Sequence, residues 1–401
     1  MALLPVADAL ARLLEDARPL PPERVDLVAA SGRVLAEPLV AKLTAPPFDA
    51  SAMDGYAVRQ SDVATLPARL RVIGEAAAGR GFRGHVSAGE AVRIFTGAPI
   101  PDGANAVHIQ ENCAREGGFV VISEGSPDAA HVRRRGADFT SGEQLLSPGI
   151  RLGARQITLA AAMGYADLAV RQRPKVAILA TGDELVLPGI TPGADQIVCS
   201  NAYGVAALIA AAGGDPEFLG IAADTRASIN AHIDRAAGCD LLVTIGGASV
   251  GDHDLIAPVL EERGLSLDFW KIAMRPGKPM LYGRLGGMRV VGLPGNPVSA
   301  LICTRVFLVP LIERLSGRAA ADARMVEAIA ATGLEVNGPR THYMRATLET
   351  GDDGRLFVRP VRSQDSSLLS PLAGADCLLV REVSAHAVSA GETVRVLRLD
   401  F

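Results

Sequence analysis

The 401-residue chain predicts a multidomain protein of mixed class, in which a β-rich domain inserted between two helical pieces is followed by an α/β domain and a small C-terminal β domain. Three observations carry this. From Lys175 to Ser299, apolar runs alternate with helix-length segments, which argues a parallel sheet covered on both faces. From Thr44 to about residue 141, Pro and Gly break the chain into short alternating or apolar stretches. The last ~75 residues return to short β segments.

The elements follow in order. Val6 to Leu14 has helical spacing of apolar residues (Val6, Leu10, Leu13, Leu14). Val25 to Leu35 continues the apolar periodicity and ends in Gly/Pro punctuation. Residues 43–141 read as a β-rich insertion between two helical pieces, with Ala91–Phe95 and Ala106–Ile109 among its strands. Ile157–Met163 reads as the returning helix. Lys175–Ala180, Asp240–Ile245 and Arg289–Leu293 read as buried strands, and Asn201–Ala212, Arg226–Ala237 and Asp254–Arg263 as helices. Asn296 suits an N-cap and Pro297 the first helical position. In the tail, His342–Leu348, Leu356–Val361, Cys377–Val380 and Thr393–Leu397 read as strands.

Composition removes several function classes. There are 44 acidic and 40 basic residues, a net charge of −4, so no basic excess points to nucleic acid. The five cysteines form no C-x-x-C pair, which fits a reducing compartment and neither a disulfide framework nor a zinc knuckle. No signal peptide and no stretch long enough to span a bilayer is visible, so no membrane role and a cytoplasmic location are expected. Only Lys42, Lys175, Lys271 and Lys278 are lysines; the other basic residues are Arg. Two of the four flank one Gly/Pro loop, where an ammonium rather than a guanidinium is needed.

Two pattern matches carry little. Gly79-Arg80-Gly81-Phe82-Arg83-Gly84 is a literal G-x-G-x-x-G, but it lies among β segments and opens no helix, so it reads as a turn. Gly247-Ala248-Ser249-Val250-Gly251 is a literal G-x-S-x-G between strand and helix. His253 is too close to serve Ser249 as base, and His342 lies in the β-rich tail, so a phosphate-binding turn is the better reading. The stronger signal is a set of three Gly-rich turns, each following a strand: Thr181–Glu184, Gly246–Asp254 and Pro294–Ser299. Asp183, Glu184, Asp252 and Asp254 offer oxygen ligands suited to Mg²⁺ together with substrate phosphates. Lys271, Arg275 and Lys278 add three cations on a stiffened loop. Separately, each acid reads more simply as a cap and each cation as surface charge. Together they equip a site for phosphoanhydride or phosphoester chemistry.

Phe48-Asp49-Ala50-Ser51-Ala52-Met53-Asp54-Gly55-Tyr56-Ala57-Val58, Thr96-Gly97-Ala98-Pro99-Ile100-Pro101, Thr181-Gly182-Asp183-Glu184-Leu185, Gly246 to Gly251, Pro276-Gly277-Lys278-Pro279 and Leu293 to Ser299 resemble the signatures of the molybdopterin molybdenumtransferases, the family of bacterial MoeA. The resemblance runs in order from about residue 5 to the end. It implies a platform from residues 1–42 and 142–173, an inserted domain at 43–141, an α/β molybdopterin-binding domain at 174–324 similar to the molybdopterin adenylyltransferases, and a C-terminal β-barrel at 325–401. It implies a homodimer whose site lies between the α/β domain of one subunit and the inserted domain of the other. Adenylylated molybdopterin and molybdate would give molybdenum cofactor and AMP, with Mg²⁺ assisting. Asp54, Thr96, Asp138, Glu184, Asp224, Asp254, Lys271 and Lys278 are the expected catalytic residues, and Glu184 and Asp254 the expected metal ligands. Substrate contacts are expected from Asp183, Gly246, Gly247, Ser249, Arg275, Pro294, Asn296, Ser299, Arg345 and Ser366.

Two positions depart from the pattern: Arg275, where relatives often have Lys, and Cys199, where many have Asp. Competing readings are an adenylyltransferase, against which the extra domains argue, and a receptor-clustering scaffold, for which no separate linker is visible. The adenylyltransferase is also a candidate partner.

Overall fold

The computed structural model describes residues 3–125, 131–246, 255–318 and 325–399. Helix α1 (Val6–Glu15) carries its apolar stripe as the spacing predicts, with Ala9 and Leu13 fully buried. That stripe packs into the core of the α/β domain and not into the platform. Leu4 fastens the entry, its N–H donating to Lys271 O at 3.2 Å and its carbonyl accepting from Ala273 N at 2.7 Å. The expected period over Val25–Leu35 resolves into strand β1 (Pro22–Asp26) and a run of turns. Asp26 accepts from Ala29 N at 2.7 Å, and Gly32 takes φ +74°, which a helix does not allow.

The insertion holds a six-stranded sheet of β2 (Gly55–Val58), β3 (Ala68–Ala76), β4 (Glu90–Ile94), β5 (Ala106–Ile109), β6 (Cys113–Glu116) and β7 (Phe119–Ile122). Their spatial order is β5-β2-β4-β3-β7-β6. Gly55 is obligatory here, because a Cβ would lie 1.8 Å from His108 O on the neighbouring strand. The domain has its own apolar cores, drawn only from residues between Tyr56 and Val132.

The chain then returns through α2 (Ala154–Ala162) to β8 (Asp167–Arg171), which pairs antiparallel with β1, Val25 opposite Leu168. Leu35, Leu39, Phe139, Leu152, Met163 and Val170 close the platform core.

The α/β domain comprises β9 (Lys175–Thr181), α3 (Asn201–Ala212), β10 (Asp215–Ala222), α4 (Arg226–Arg235), β11 (Leu241–Ile245), α5 (Ile256–Glu262), β12 (Ser266–Trp270), β13 (Met274–Arg275), β14 (Leu281–Leu285), β15 (Met288–Leu293), α6 (Pro297–Cys303) and α7 (Val309–Leu315). Pleating sends Val176, Ile178 and Ala180 to one face, under α3, α6 and α7. Ala177 and Leu179 go to the other, under α4 and α5. This two-sided burial is why the strands read as unbroken apolar runs. The sheet order is β10-β9-β11-β15-β14-β12, with the first four strands parallel. β14 runs antiparallel to both of its neighbours, β15 and β12, an arrangement that the apolar runs do not predict. Gly286-Gly287 between Leu285 and Met288 forms the two-residue turn that makes β14 and β15 a hairpin.

The tail, β16 (Met325–Ala330), β17 (Thr341–Thr350), β18 (Leu356–Pro360), β19 (Cys377–Arg381) and β20 (Thr393–Arg398), closes into a barrel because β17 pairs with both β18 and β19. β13 adds to the start of β17, tying barrel to α/β domain.

Candidate active site

β9, β11 and β15 are adjacent and parallel, so their carboxyl ends share one edge of the sheet. On one side of β9 lies β10, and on the other β11. This is the point of reversal where open α/β sheets bind ligands. The turns after the three strands touch. Gly246, at φ +91°, donates to Leu293 O at 3.2 Å, and a Cβ on it would stand 2.9 Å from Thr181 O. Gly246 Cα in turn lies 3.8 Å from where a Cβ on Gly295 would be. Asn201, the first residue of α3, donates to Gly295 O at 2.7 Å. Backbone therefore lines this edge, leaving room for a ligand to approach main-chain N–H groups.

Three acids stand at the same edge. Asp183 accepts from Asp224 N at 3.0 Å, which joins the turn after β9 to the turn after β10. Glu184 and Asp224 are exposed. Gly247, Ser249 and Asp254, with Asp252 and His253, lie outside the described residues.

The cationic loop is built on the far side of β15. Lys271 has φ +73°, and its Nζ lies 5.0 Å from the Trp270 ring centroid. Ile272 N donates to Lys278 O at 2.9 Å, closing the loop on itself. Gly277, at φ +106°, sits where a Cβ would be 2.5 Å from Cys303 Sγ at the end of α6. Arg275 and Lys278 are exposed. Arg275 lies opposite His342, and His342 opposite Arg381 on the next strand. Burial, with the charges of Arg275, Arg340, Arg381 and Arg345, holds the His342 pKa down at about 4.

Asn296 occupies the N-cap position of α6, yet its side chain makes no capping bond. It donates instead to Ser366 Oγ at 3.0 Å, while Ser366 O accepts from Val298 N at 3.1 Å. Pro297 needs no partner for its missing N–H, and the adjacent orphan donor at Val298 is satisfied from the barrel side. Pro294 and Ser299 are buried within this turn, Ser299 only 4% exposed, so they shape it from below. Arg345 corrects its expected role as an anion contact. It is 1% exposed, and its guanidinium is occupied by the carbonyls of Leu368, Ser363 and Asp365 at 2.8–2.9 Å. Arg345 is thus a positioning residue for the loop that carries Ser366.

In the inserted domain Asp54 accepts from Thr96 N at 2.7 Å and from Thr96 Oγ1 at 2.8 Å. These two bonds, with the nearby charge of Arg93, hold the Asp54 carboxyl below its ordinary pKa. Arg93 lies over Tyr56 and Phe95 and donates to Gly55 O and Gln110 Oε1. The sequence reading passed over Arg93. Its alternation with buried Val92 and Ile94 was the available signal that it faces the other side of the sheet. Asp138 is exposed in the following turn, with its N–H on Ala45 O at 3.0 Å. The Arg133–Arg135 run is not wholly a solvated face: Arg134 and the Arg135 N–H both bind Asp49, at 2.7 and 2.8 Å.

The expected residues thus form an Asp54–Thr96 pair on one domain, and an assembly of Thr181–Glu184, Gly246 and Pro294–Asn296 on another.

Comparison with known proteins agrees along the whole chain. Residues 4–164 match the MoeA N-terminal region (domains I and II), residues 177–314 a probable molybdopterin binding domain, and residues 327–399 the MoeA C-terminal region (domain IV). The chain is 36% identical to a molybdopterin molybdenumtransferase of Haemophilus influenzae, covering 98% of each chain. It is 33% identical to one from Bacillus subtilis, over 98% of this chain and 94% of that one. A molybdopterin biosynthesis MoeA protein from Pyrococcus horikosii superposes with TM-score 0.83 at 32% identity, covering 100% of both chains. The chain belongs to the molybdopterin molybdenumtransferase (MoeA) family.

Proposed function

We propose that the chain transfers molybdenum from molybdate to molybdopterin, taking the adenylylated pterin and releasing AMP, in the cytoplasm and as a homodimer. The observation that carries this reading is the convergence of the turns after β9, β11 and β15 on one edge, with backbone exposed at Gly246 and Gly295. Such turns suit phosphates, and Arg275 and Lys278 on the neighbouring loop supply cations.

The carboxylates present are hard oxygen donors that fit Mg²⁺. No group of three His, Cys, Asp or Glu forms a ready cage among the described residues, but Mg²⁺ needs only one or two carboxylates when phosphates complete its shell. Glu184 and Asp254 would hold it. When bound, the metal offsets charge on the phosphoanhydride. The residues of the chain do the rest. Asp183, through Asp224 N, fixes the turn that presents Glu184. Gly277 seats the loop on Cys303 so that Lys278 faces outward. Asn296 and Ser366 join the barrel to the turn after β15. Asp54, locked by Thr96, remains ionised and presents a fixed acceptor. In the chemical step the two dithiolene sulfurs bond to molybdenum while one molybdate oxygen leaves with their two protons as water, and water adds across the P–O–P bond, so that the pterin phosphate and AMP part.

The test is incubation of purified protein with adenylylated molybdopterin and molybdate. AMP release dependent on molybdate is the expected result. ATP-dependent adenylylation of the pterin without AMP release from the adenylylated compound would instead assign an adenylyltransferase.

A further inference from the structure

Far from the turns just described, the platform meets the α/β domain around a small cavity of about 10 Å³, and its wall is crowded with arginine. Arg33, Arg151 and Arg171 come from the platform, Arg173 from the segment leading into β9, and Arg318 from the segment after α7. Two of these guanidinium groups meet carboxylates: Glu23 binds Arg33 and Glu313 binds Arg318. Arg171 gives one nitrogen to Leu20 O at 3.1 Å, and Arg151 gives its Nε to Gly32 O at 3.3 Å. Arg173 is exposed and binds no described residue. Arg171 and Arg173 stand in no described ion pair, so positive charge at this wall is left unanswered there.

A second, independent feature points into the same place. Ser316, 4% exposed, lines the cavity, and its Oγ is buried without a hydrogen-bond partner. The hydroxyl lies against Gly213, another lining residue, where a Cβ would be 3.4 Å away. Buried hydroxyls ordinarily find partners, and one left over beside a cationic cavity marks room for an acceptor. The end of α3 at Ala212 and Gly213 also lines the cavity, and guanidinium groups suit helix carbonyl ends.

We propose that this junction is an anion site for a tetrahedral oxyanion, either free or as the phosphate group of a nucleotide. A cavity of this volume admits about one water-sized group. One oxygen of the ligand therefore enters and accepts from Ser316, and the remainder sits at the mouth against Arg173. Guanidinium geometry suits paired hydrogen bonds to such oxygens. Because the wall is shared by platform and α/β domain, occupancy ties the two together.

The experiment uses the full chain carrying Lys278→Ala, which weakens anion binding at the sheet edge, and titrates phosphate, molybdate and AMP calorimetrically at constant ionic strength against chloride. Saturable binding of phosphate or molybdate is expected, weakened about tenfold by adding Arg173→Gln or Ser316→Ala. Both positions can change without removing any described hydrogen bond of their side chains. AMP binding while phosphate and molybdate do not, and lost with Arg173→Gln, would support the site with a nucleotide as the source. No saturable binding of any of the three, or binding indifferent to both added substitutions, overturns the proposal.

Discussion

Asp54 and Thr96, 42 residues apart, are held together by two hydrogen bonds to one carboxylate oxygen, from the backbone N–H and the hydroxyl of Thr96. The hydroxyl bond can be removed alone. In Thr96→Ala the Asp54 pKa should rise from its depressed value toward that of an ordinary Asp, since one of its lowering contacts is gone. A group whose folded pKa is depressed contributes stability above its unfolded pKa, and that contribution is lost as pH falls through the folded value. Thr96→Ala should therefore narrow the acid-stable range of the inserted domain without changing its charge at pH 7. Carboxyl chemical shifts followed through pH 2–5 test this (about that range brackets an ordinary Asp). An unmoved Asp54 titration would show that the backbone bond alone sets it. AMP release at pH 7 should fall about tenfold, from lost geometry and not from lost charge.

Gly277 is the second position where a small change has a calculable effect. At φ +106°, with Cys303 Sγ 2.5 Å from a would-be Cβ, Gly277→Ala meets both backbone strain and a buried clash. Destabilisation of about 2 kcal/mol is expected. Thermal unfolding of Gly277→Ala beside Lys278→Ala separates the two effects. Lys278 is exposed, so its removal should leave the midpoint unchanged while activity falls.

Much of this arrangement was legible in the sequence, for physical reasons. Buried parallel strands produce unbroken apolar runs, so β9, β11 and β15 announced themselves, and the Gly-rich turns after them marked the ligand edge. β12 and β14 lie outside the parallel set and are weaker signals: Ser266, Leu267 and Asp268 of β12 are exposed. The docking partner of α1 was hidden because an apolar stripe specifies that a helix is buried, not against which surface. The role of Arg345 was hidden for a similar reason. An Arg in a strand reads as a charge available to ligands, and only packing shows its donors consumed by Leu368, Ser363 and Asp365 carbonyls.

Asp183 and Glu184 are neighbours with different expected assignments. Both are exposed at the edge, and Asp183 in addition accepts from Asp224 N. Glu184→Gln should raise the Mg²⁺ concentration needed for half-maximal AMP release. Asp183→Asn weakens the bond to the Asp224 N–H, and should lower maximal rate with the Mg²⁺ midpoint nearly unmoved. Equal displacement of the Mg²⁺ curve in both variants would show that the two acids act as one ligand set.

His342 sets a pH dependence at the joint between barrel and α/β domain. Its folded pKa of about 4 is below the ordinary His value, so the unfolded chain binds the extra proton first as pH drops. Its contribution to stability is present in full above about pH 6.5 and declines as pH falls toward 4. Arg275, Arg340, Arg381 and Arg345 all oppose protonation. His342→Gln should flatten the stability profile across this window. Urea unfolding midpoints at intervals of pH measure the difference, and parallel profiles for the two proteins would remove His342 as the cause.

The final prediction concerns where the two halves of the site meet. Asp54 and Thr96 belong to a domain whose cores contain only residues between Tyr56 and Val132, and whose chain enters and leaves through the platform. Glu184, Gly246 and Lys278 belong to the α/β domain, which has the phosphate-binding turns. In a two-fold dimer the inserted domain of each subunit can serve the α/β domain of the other, because every contact between subunits occurs twice. Asp54→Asn and Lys278→Ala homodimers should each be inactive. A heterodimer of the two would concentrate both substitutions in one site and leave the other intact. Up to roughly half the normal activity per dimer should return. Differently tagged subunits, co-expressed and purified through both tags, give the required species. If that heterodimer forms and releases no AMP, then Asp54 and Lys278 serve the same subunit's site, and each subunit must complete its chemistry alone.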